Sequence, residues 1–568
     1  MEIKKERRTL KKLPVGIEDF EKLRSDDFYY IDKTGLIREL LNNQAEVSLF
    51  TRPRRFGKSL NMSMLEHFFS LNGDKSIFDG LEISKETALC AEFMGKYPVI
   101  SISLKGIEAL HYETAFQRLV LLINRAARKA SFLMESDALD AQDQAGYRRL
   151  LEDTMTEAVL GESLRVLSEL LEKHYGTKVV LLIDEYDVPL AKAHANGYYD
   201  QMVSVIRSLL GEALKTNCSL KFAVLTGCLR ISKESIFTGL NNLKVLTVAD
   251  ERFERCFGFT DQEVRDLLEY YGLADHYESV KRWYDGYQFG STQVYCPWDV
   301  LNHCDRLRSN PQVQPENYWI NTSSNDAVKR FIQESADFAT RREIECLVAG
   351  GVITKEIHQE LTYPEIYQTI DNMWSLLFTT GYLTRRGKAE GRMMELAIPN
   401  LEIRDIYVTQ IMEFFKENVQ KDGDMLNRFC EALRNGEVQT VEKLFTEYLR
   451  KTISIRDTAV RKERKENFYH GILVGILGVK DRWGICSNQE MGEGYADILV
   501  VPDTWDMGII IELKYAHDGN LDAACSRALE QIAVTGYEDD LADDGVECIL
   551  KYGIACYKKR CRVMMAEN

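Results

Sequence analysis

The sequence predicts an α/β protein in three parts: a parallel sheet with crossover helices over residues 1–255, a mainly helical region over 256–455, and a smaller α/β domain over 456–568. Between residues 46 and 250, short apolar, β-branched runs alternate with longer helical patterns, which is typical of parallel strands joined by helices. The pattern then becomes mostly helical and returns to mixed helix and strand from residue 466. At 568 residues, the chain is long enough for several domains of ordinary size.

Five runs are the predicted strands of the first sheet: VSLF (47–50), YPVISISL (97–104), KVVLLID (178–184), KFAVLTG (221–227) and KVLTV (244–248). The segment from about 110 to 175 has helical spacing and lacks proline, so we expect two or three helices there. The carboxyl-terminal domain is predicted as helix ENFYHGILVGILG, strands YADILVV and GIIIELK, helix ACSRALEQIAVTGY and strand KYGIACY.

The middle region is predicted to open with a capped helix, since Thr260 can serve as its N-cap with Glu263 three residues on. Three aromatic clusters interrupt the helical pattern: RWYDGYQFG (282–290), YCPWDV (295–300) and NYWINTSSND (317–326). We expect packed turns there, with the aromatic side chains in the core rather than in a ligand cage.

The composition is that of a globular protein, with 45% hydrophobic and 28% charged residues. No apolar run reaches the ~18 residues of a membrane span, so no membrane partner is expected. The basic amino terminus is not followed by the apolar segment of a signal peptide, which favours the cytoplasm. Thirteen cysteines without a C-x-x-C pair favour reduced thiols over disulfides or zinc.

A net charge of −16 argues against a chain that coats nucleic acid along its whole surface. Two local basic runs, RDTAVRKERK (456–465) and KYGIACYKKRCR (551–562), keep a nucleic-acid contact open near the carboxyl end. The alternative for each run is a solvated charged face.

The stretch TRPRRFGKSLN (51–61) ends as a phosphate-binding loop ends, with Gly57, Lys58 and Ser59, but has Arg52 where such loops normally place glycine. A strand precedes it and a helix follows it, as in a P-loop NTPase. There, backbone N–H groups and the helix amino terminus bind phosphate, the lysine reaches the outer phosphates, and the serine hydroxyl holds Mg²⁺. The sequence therefore predicts a nucleotide site.

Two further strand ends complete this site. Asp184 ends an apolar strand, where it can hold the Mg²⁺ shell, and the adjacent Glu185 can polarise the attacking water. Thr226 ends KFAVLTG and is assigned to sensing the γ-phosphate, with Arg230 offsetting its charge. For Arg230 the alternative is an arginine in solvent or one paired with an acidic neighbour.

The stretch EGYADILVVPDTWDMGIIIELK (493–514) predicts two strands joined by a turn that contains Pro502, Asp503 and Gly508. If the hairpin is symmetric about residues 504 and 505, Asp497 lies opposite Glu512, and Lys514 shares a strand face with Glu512. Opposed carboxylates destabilise a sheet unless a cation offsets them. Asp497 and Glu512 are therefore expected to bind Mg²⁺ or Mn²⁺, with Lys514 positioning the nucleophile or stabilising charge, as in PD-(D/E)XK nucleases.

The sequence resembles the AAA-ATPase-like family of bacterial proteins, whose members commonly carry a PD-(D/E)XK nuclease-like domain at the carboxyl end. The stretches that resemble the family are LPVGIEDF, YYIDKT, RPRRFGKS, LLIDEYD, LTGCLRISKESIFTGLNN and WYDGYQFG. Because RPRRFGKS recurs in that family, the resemblance implies an ATP site despite Arg52. It also places Glu466, which opens the helix ENFYHGILVGIL, beside the second metal.

The resulting hypothesis is an ATP-binding P-loop ATPase coupled to a metal-dependent nuclease-like domain of restriction-endonuclease-like fold. The expected substrate is nucleic acid, with DNA favoured over RNA. The expected catalytic residues are Glu185, Asp497, Glu512 and Lys514. The expected nucleotide-binding residues are Arg54, Arg55, Phe56, Gly57, Lys58, Ser59, Asp184, Thr226 and Arg230. The expected metal ligands are Ser59, Asp184, Glu466, Asp497 and Glu512. The alternative is an ATP-switched signalling or scaffold protein whose carboxyl-terminal domain binds a partner without cleavage, and assembly with further copies of the chain is left open.

Overall fold

The computed structural model describes residues 10–566 except 44, 216, 231–240, 320–325, 336–337, 420–422, 453–464, 478–482, 492–493, 503–506, 536–545 and 547. The chain divides into two compact units, residues 1–324 with 354–403 and residues 325–353 with 404–568. The predicted α/β fold class is confirmed, whereas the predicted boundaries at 255 and 455 stay a prediction. Most of the basic run 456–465 and residues 231–240 of the family stretch lie outside the described residues.

The first unit is built on a five-stranded parallel sheet in the order β2-β3-β4-β1-β5. Its strands are β1 (Val47–Thr51), β2 (Val99–Ser103), β3 (Val179–Asp184), β4 (Leu220–Gly227) and β5 (Leu243–Leu246). All five predicted runs form these strands. β1 and β3 are buried along their whole length, which explains why they read as continuous apolar runs.

Nine described helices accompany this sheet: α1 (Phe20–Ser25), α2 (Gly35–Asn43), α3 (Lys58–Phe69), α4 (Thr87–Phe93), α5 (Tyr112–Arg128), α6 (Ala141–Leu150), α7 (Glu157–Tyr175), α8 (Val188–Ala195) and α9 (Tyr199–Leu214). Between residues 110 and 175 the prediction of two or three helices is met by α5, α6 and α7. The ends of α7 follow from local chemistry: Thr156 accepts the Val159 N–H at the start, and Gly176 closes the helix with φ of 68°.

Helices and two small sheets follow. The helices are α10 (Asp261–Tyr270), α11 (Tyr277–Tyr284), α12 (Pro297–Ser309), α13 (Asp326–Glu334), α14 (Phe338–Val348), α15 (Tyr363–Ile366), α16 (Ile370–Thr379) and α17 (Leu401–Val419). The strands are β6 (Phe259–Thr260), β7 (Tyr287–Phe289), β8 (Thr292–Tyr295), β9 (Ile353–Glu356), β10 (Thr384–Glu390) and β11 (Met393–Ala397). The sheets have the orders β6-β8-β7 and β10-β11-β9.

The expectation for the start of α10 is confirmed, because Thr260 and Glu263 form a reciprocal capping box. The expectation of packed turns is wrong for two aromatic clusters, since residues 287–289 and 292–295 pair as an antiparallel hairpin. Alternating aromatic side chains there cover a core, as the buried Tyr287, Phe289 and Tyr295 show. Their assignment to the core rather than to a cage is therefore consistent with the structure.

The second unit ends in a five-stranded sheet of order β12-β13-β14-β15-β16, in which only the β14–β15 pair is parallel. Its strands are β12 (Gly484–Met491), β13 (Gly494–Val501), β14 (Met507–Tyr515), β15 (Cys548–Tyr557) and β16 (Arg560–Met565). The helices of this part are α18 (Gly423–Arg434), α19 (Val438–Thr452), α20 (Lys465–Leu477) and α21 (Leu521–Thr535). The edge strands β12 and β16 were not predicted, and Gly508 lies inside β14 rather than in the turn.

Helices cover both faces of this sheet. Ile498, Ile509 and Ile511 pack with residues of α18, α19 and α20, whereas Leu499 and Ile510 pack with Ile532 of α21. Successive strand residues therefore meet opposite helical layers, which explains the consecutive apolar residues Ile509, Ile510 and Ile511 of β14.

Two expectations from composition concern the whole chain. In the part that the structure describes, no helix is both long and apolar enough to cross a membrane. The cysteines whose side chains the structure describes are free thiols, and most of them are buried.

Candidate functional site

The carboxyl ends of β1, β3 and β4 bring the predicted nucleotide residues together. Phe50 pairs with Thr226, and Ile183 pairs with Leu225, so Asp184 comes next to Thr226 at the same edge. The loop after β1 turns at this edge, and α3 begins at Lys58. Gly57 caps α3 with φ of 82°, a left-handed backbone conformation that glycine adopts at little energetic cost. The loop thus aims the amino terminus of α3 at this edge, as phosphate binding requires.

Lys58 is buried and held by the loop itself. Its Nζ donates to the carbonyls of Arg52 and Pro53 at 3.2 and 3.1 Å and lies 3.3 Å from Glu185 Oε1. Burial opposes its charge, but Cys228 and Glu185 nearby outweigh this effect and raise its pKa. The ammonium therefore stays charged, and an anionic ligand would compete with Glu185 for contact with it.

Ser59, Asp184 and Thr226 form one hydrogen-bonded group. Ser59 Oγ donates to Asp184 Oδ2 at 2.7 Å, and Thr226 donates its hydroxyl to Asp184 Oδ1. Burial raises the pKa of Asp184, while these two hydroxyls oppose that shift. A hydroxyl and a carboxylate side by side are hard oxygen donors of the kind that Mg²⁺ takes, so these residues fit the ion.

Two residues of this site were not predicted from the sequence. Asp187 is fully buried; its Oδ2 accepts the N–H groups of Cys228 and Leu229 at 3.0 and 2.9 Å, which fixes the loop after β4. Burial and Glu185 raise the pKa of Asp187 to about 6. The Cys228 sulfur lies 3.6 Å from Lys58 Nζ. The signal for Asp187 was its place three residues after Asp184 in LLIDEYD.

Two arginines predicted to bind nucleotide, Arg54 and Arg230, differ in position. Arg54 is exposed in the loop. Partial burial opposes its charge, but Cys228, Asp187 and Glu185 nearby raise its pKa. Arg230 instead pairs with Glu360 at 2.7 Å. The paired-arginine alternative describes this geometry, and a role of Arg230 toward nucleotide stays a prediction.

The side chains of Arg55 and Phe56 face an aromatic region of the first unit. The Arg55 guanidinium lies 5.0 Å from the Trp298 ring centre and donates to the Tyr318 carbonyl at 2.7 Å. The fully buried Phe56 ring packs 4.9 Å from Tyr287. Because its ring is enclosed, Phe56 can offer nucleotide its backbone only.

Arg52 explains how the loop dispenses with the usual first glycine. Its side chain is fully buried, and NH1 donates to the carbonyls of Thr51 and Leu246 at 2.9 Å each. The guanidinium stacks 5.1 and 5.3 Å from the rings of Phe257 and Phe289. Arg52 therefore anchors the loop between β1, β5 and the aromatic region.

Arg52→Ala should lower the free energy of unfolding of the first unit by about 3 kcal/mol, because it leaves a cavity and two buried carbonyls without their donor. Arg52→Met should cost less, since it restores the volume and removes a charge that is expensive to bury. Denaturant unfolding of the intact chain measures both. A loss below about 1 kcal/mol for the alanine variant would contradict the anchoring role.

The second predicted centre lies on β13 and β14. Ile498 pairs with Ile511, and the same register brings Asp497 opposite Glu512. The predicted symmetry of the hairpin is thus confirmed. Asp497 Oδ2 accepts the Leu513 N–H at 2.9 Å, so a backbone donor orients this carboxylate.

Glu512 carries the least compensated charge in this centre. It is fully buried, and its Oε2 has no hydrogen-bond partner among the described residues. Burial and then Asp497 raise its pKa to about 7. An unpartnered carboxylate oxygen beside a second carboxylate fits a divalent cation. The described part of the chain contains no group of three or more His, Cys, Asp or Glu side chains that could hold a metal. This centre therefore offers a metal ion the two carboxylates of Asp497 and Glu512.

Three further side chains surround the pair. Lys514 Nζ donates to Glu512 Oε1 at 2.9 Å. Glu466 on α20 accepts the Tyr515 N–H at 3.3 Å, and Glu466 also contributes to the raised pKa of Lys514. His470 Nε2 lies 2.7 Å from the Asp497 carbonyl oxygen. The structure therefore brings the predicted Glu466 to the edge of this centre, and His470 ties α20 to β13.

Metal binding at this centre should depend on pH. With a pKa of about 7 for Glu512, the apparent Mn²⁺ affinity should weaken about tenfold from pH 8 to pH 6, because a metal needs the ionised carboxylate. In metal-free protein the raised pKa stabilises the fold below the ordinary value of 4.5, and this contribution is lost as pH rises through 7. Titration calorimetry from pH 5.5 to 8.5 measures the affinity, and a flat profile would contradict the assignment.

Comparison with known proteins supports the resemblance. Residues 14–237 match the family model described as predicted AAA-ATPase, and residues 464–566 match that of the PD-(D/E)XK nuclease superfamily. The chain is also similar to an uncharacterized protein in the vnfD 5' region of Azotobacter chroococcum mcd 1, with 29% identity over 412 residues that cover 69% of this chain and 68% of that protein. The two family matches contain the two residue centres described above.

Proposed function

We propose that this chain, which combines an AAA-ATPase-like domain with a PD-(D/E)XK nuclease-superfamily domain, is an ATPase whose nucleotide site controls a metal-dependent nuclease centre acting on DNA. The observation that carries the nuclease half is the opposition of Asp497 and the buried Glu512, whose Oε2 has no hydrogen-bond partner among the described residues and whose Oε1 pairs with Lys514. A buried charge of this kind lowers the stability of the fold, and the binding of a catalytic metal would explain why the protein keeps it.

At the nucleotide site, the residues of this chain would bind and orient ATP. The amino terminus of α3 and Lys58 hold the phosphates, and Ser59 with Asp184 would hold Mg²⁺, which offsets phosphate charge when bound. Glu185 must leave Lys58 before it can orient the attacking water. Thr226 keeps Asp184 in place, since its hydroxyl bonds the carboxylate.

At the second centre, Asp497 and Glu512 would hold Mg²⁺ or Mn²⁺, which supplies Lewis acidity and an activated water when bound. Lys514, whose ammonium lies 2.9 Å from Glu512, would stabilise negative charge on the reacting phosphate. Glu466 would complete the acidic edge through its contact with β14.

The test is cleavage by the intact chain in Mg²⁺ or Mn²⁺ on linear, circular and single-stranded DNA and on RNA. Each substrate is incubated without nucleotide, with ATP and with a non-hydrolysable ATP analogue. We expect cleavage of DNA that needs the metal and changes with nucleotide. ATP hydrolysis without cleavage of any substrate would contradict the nuclease half.

The Lys58–Glu185 ion pair favours a second candidate, an ATP-switched scaffold with slow turnover. In this arrangement the residue that should activate water is engaged by the residue that should bind phosphate. A scaffold predicts an ATP-dependent change in assembly size, measured by light scattering, with no loss of DNA integrity.

A further inference from the structure

A turn of basic residues lies at the end of the sheet toward which β14 runs from the carboxylate centre of the second unit. Lys558 and Lys559 connect β15 to β16, and Arg560 opens β16. Because β14 and β15 are parallel, this turn lies at the end of the sheet where β14 also ends. Tyr469 of α20, the helix that carries Glu466, donates its hydroxyl to the Lys558 carbonyl at 2.7 Å. The helix that borders the carboxylates is thus hydrogen-bonded to the turn.

The register of the sheet places basic and acidic residues on one face. Lys514 pairs with Ala555, which pairs in turn with Arg562, and residues side by side in a sheet share a face. Arg560, two residues from Arg562, points the same way. Two strand spacings separate β14 from β16 by about 10 Å. This distance is about three steps of a nucleic-acid strand at ~3.4 Å each.

The described part of the chain does not neutralise the charges of the turn. Lys558, Lys559 and Arg560 have no carboxylate at ion-pair distance among the residues that the structure describes, and the same holds for the exposed Arg450 at the end of α19. Lys559 Nζ donates to the Arg450 carbonyl at 3.5 Å, so the end of α19 joins the turn. Lys558 has φ of 56°, which is uncommon for lysine.

The neighbouring Arg562, unlike the residues of the turn, has carboxylate partners in the described part of the chain. It pairs with Glu442 at 3.2 Å and with Asp522 at 2.7 Å, so its charge is used within the fold. Asp518 is an exposed carboxylate in the segment after β14. In a chain of net charge −16, four neighbouring cations without a carboxylate partner among the described residues point to an anionic ligand.

We propose that Lys558, Lys559, Arg560 and Arg450, together called the basic turn, bind the phosphate backbone of a nucleic acid and lay one strand across the nuclease-like centre. This inference rests on the proposed function and adds the binding surface for its substrate. The contacts are to phosphate, so they give affinity and register without sequence preference. β14 runs from Glu512 toward the end of the sheet that carries the turn, so a strand bound there lies at the same end as Lys514.

The experiment measures binding of a fluorescent 30-base-pair DNA by anisotropy, with the intact chain in an Asp497→Asn background that cannot cut. The test variant is Lys558→Asn, Lys559→Gln and Arg560→Gln, in which asparagine suits the positive φ. The control is Arg434→Gln, which replaces an exposed arginine away from the turn. Its neighbour Leu433 accepts a hydrogen bond from the Tyr552 hydroxyl, further from the turn along β15. Equal melting temperatures of the three proteins establish that all are folded.

We expect the triple variant to weaken binding at least 30-fold near 100 mM salt and to reduce the salt slope by about 3, because each phosphate contact contributes about 0.9. The control should stay within twofold of the reference. Equal affinities of the triple variant and the control, or no DNA binding by the reference, would overturn the proposal. A loss confined to a polyglutamate probe, with DNA binding intact, would also overturn it and assign the turn to an acidic protein partner.

The two proposals fail separately. If the chain with native Asp497 cuts no DNA but still binds DNA through the turn, the proposed nuclease is contradicted and the basic turn is supported. Cleavage that is the same in the triple variant and the control at limiting DNA leaves the nuclease in place and removes the basic turn.

Discussion

Glu512→Gln should reduce metal-dependent DNA cleavage by about 10³-fold or more and leave ATP hydrolysis unchanged. The substitution keeps the shape of the side chain but removes the charge that a metal requires. It should not weaken the fold at neutral pH, because Glu512 is a buried carboxylate whose pKa is raised to about 7, and glutamine removes that cost. Cleavage at limiting enzyme and thermal unfolding together measure these effects.

Two companion variants sharpen this result. Glu431→Gln removes an exposed carboxylate of α18 in the same unit and should cleave as the unchanged protein does. Lys514→Gln should bind Mn²⁺ with affinity close to that of the unchanged protein but lose about 10²-fold or more in rate, because it removes charge stabilisation rather than a metal ligand. Cleavage by Glu512→Gln within tenfold of the unchanged chain would refute the assignment.

Strands buried on both faces could be predicted because their sequence carries a strong signal. β1, β3 and β14 consist mostly of apolar residues, and each was recognised within a residue or two. The strands β12, GICSNQEM, and β16, RCRVMM, lie at the two edges of their sheet and mix polar with apolar residues. Edge strands need fewer apolar residues, so their pattern does not differ enough from that of a loop.

Site residues were predictable where the chain alone fixes their place. The Asp497–Glu512 opposition followed from counting residues across a short hairpin, and Ser59 and Asp184 followed from strand ends. The place of Arg52 and the pairing of Arg230 with Glu360 did not, because each depends on partners 130 or more residues away. Sequence spacing carries no information about such contacts, whereas it does for neighbours in one hairpin.

Lys58→Ala should abolish ATP binding and reduce ATP hydrolysis by about 10³-fold or more. For the unchanged chain, ATP with Mg²⁺ at 100 times the dissociation constant should add about 2.7 kcal/mol to the stability of the first unit. The variant should show no such gain. Lys192→Ala, which removes a half-exposed lysine paired with Glu108, is the matched control and should keep both properties.

Glu185→Gln separates binding from turnover at the same site. Because Glu185 holds Lys58 at 3.3 Å in this structure, its loss frees the ammonium for phosphate, and ATP should bind at least as tightly as before. Hydrolysis should fall 10²- to 10⁴-fold, since the side chain that orients water is gone. Thermal shift with ATP and phosphate release measure the two effects on one sample. If hydrolysis stays within threefold of the unchanged chain, Glu185 only restrains Lys58, and the water-activating group is another residue of the site, with the neighbouring buried Asp187 the first to replace.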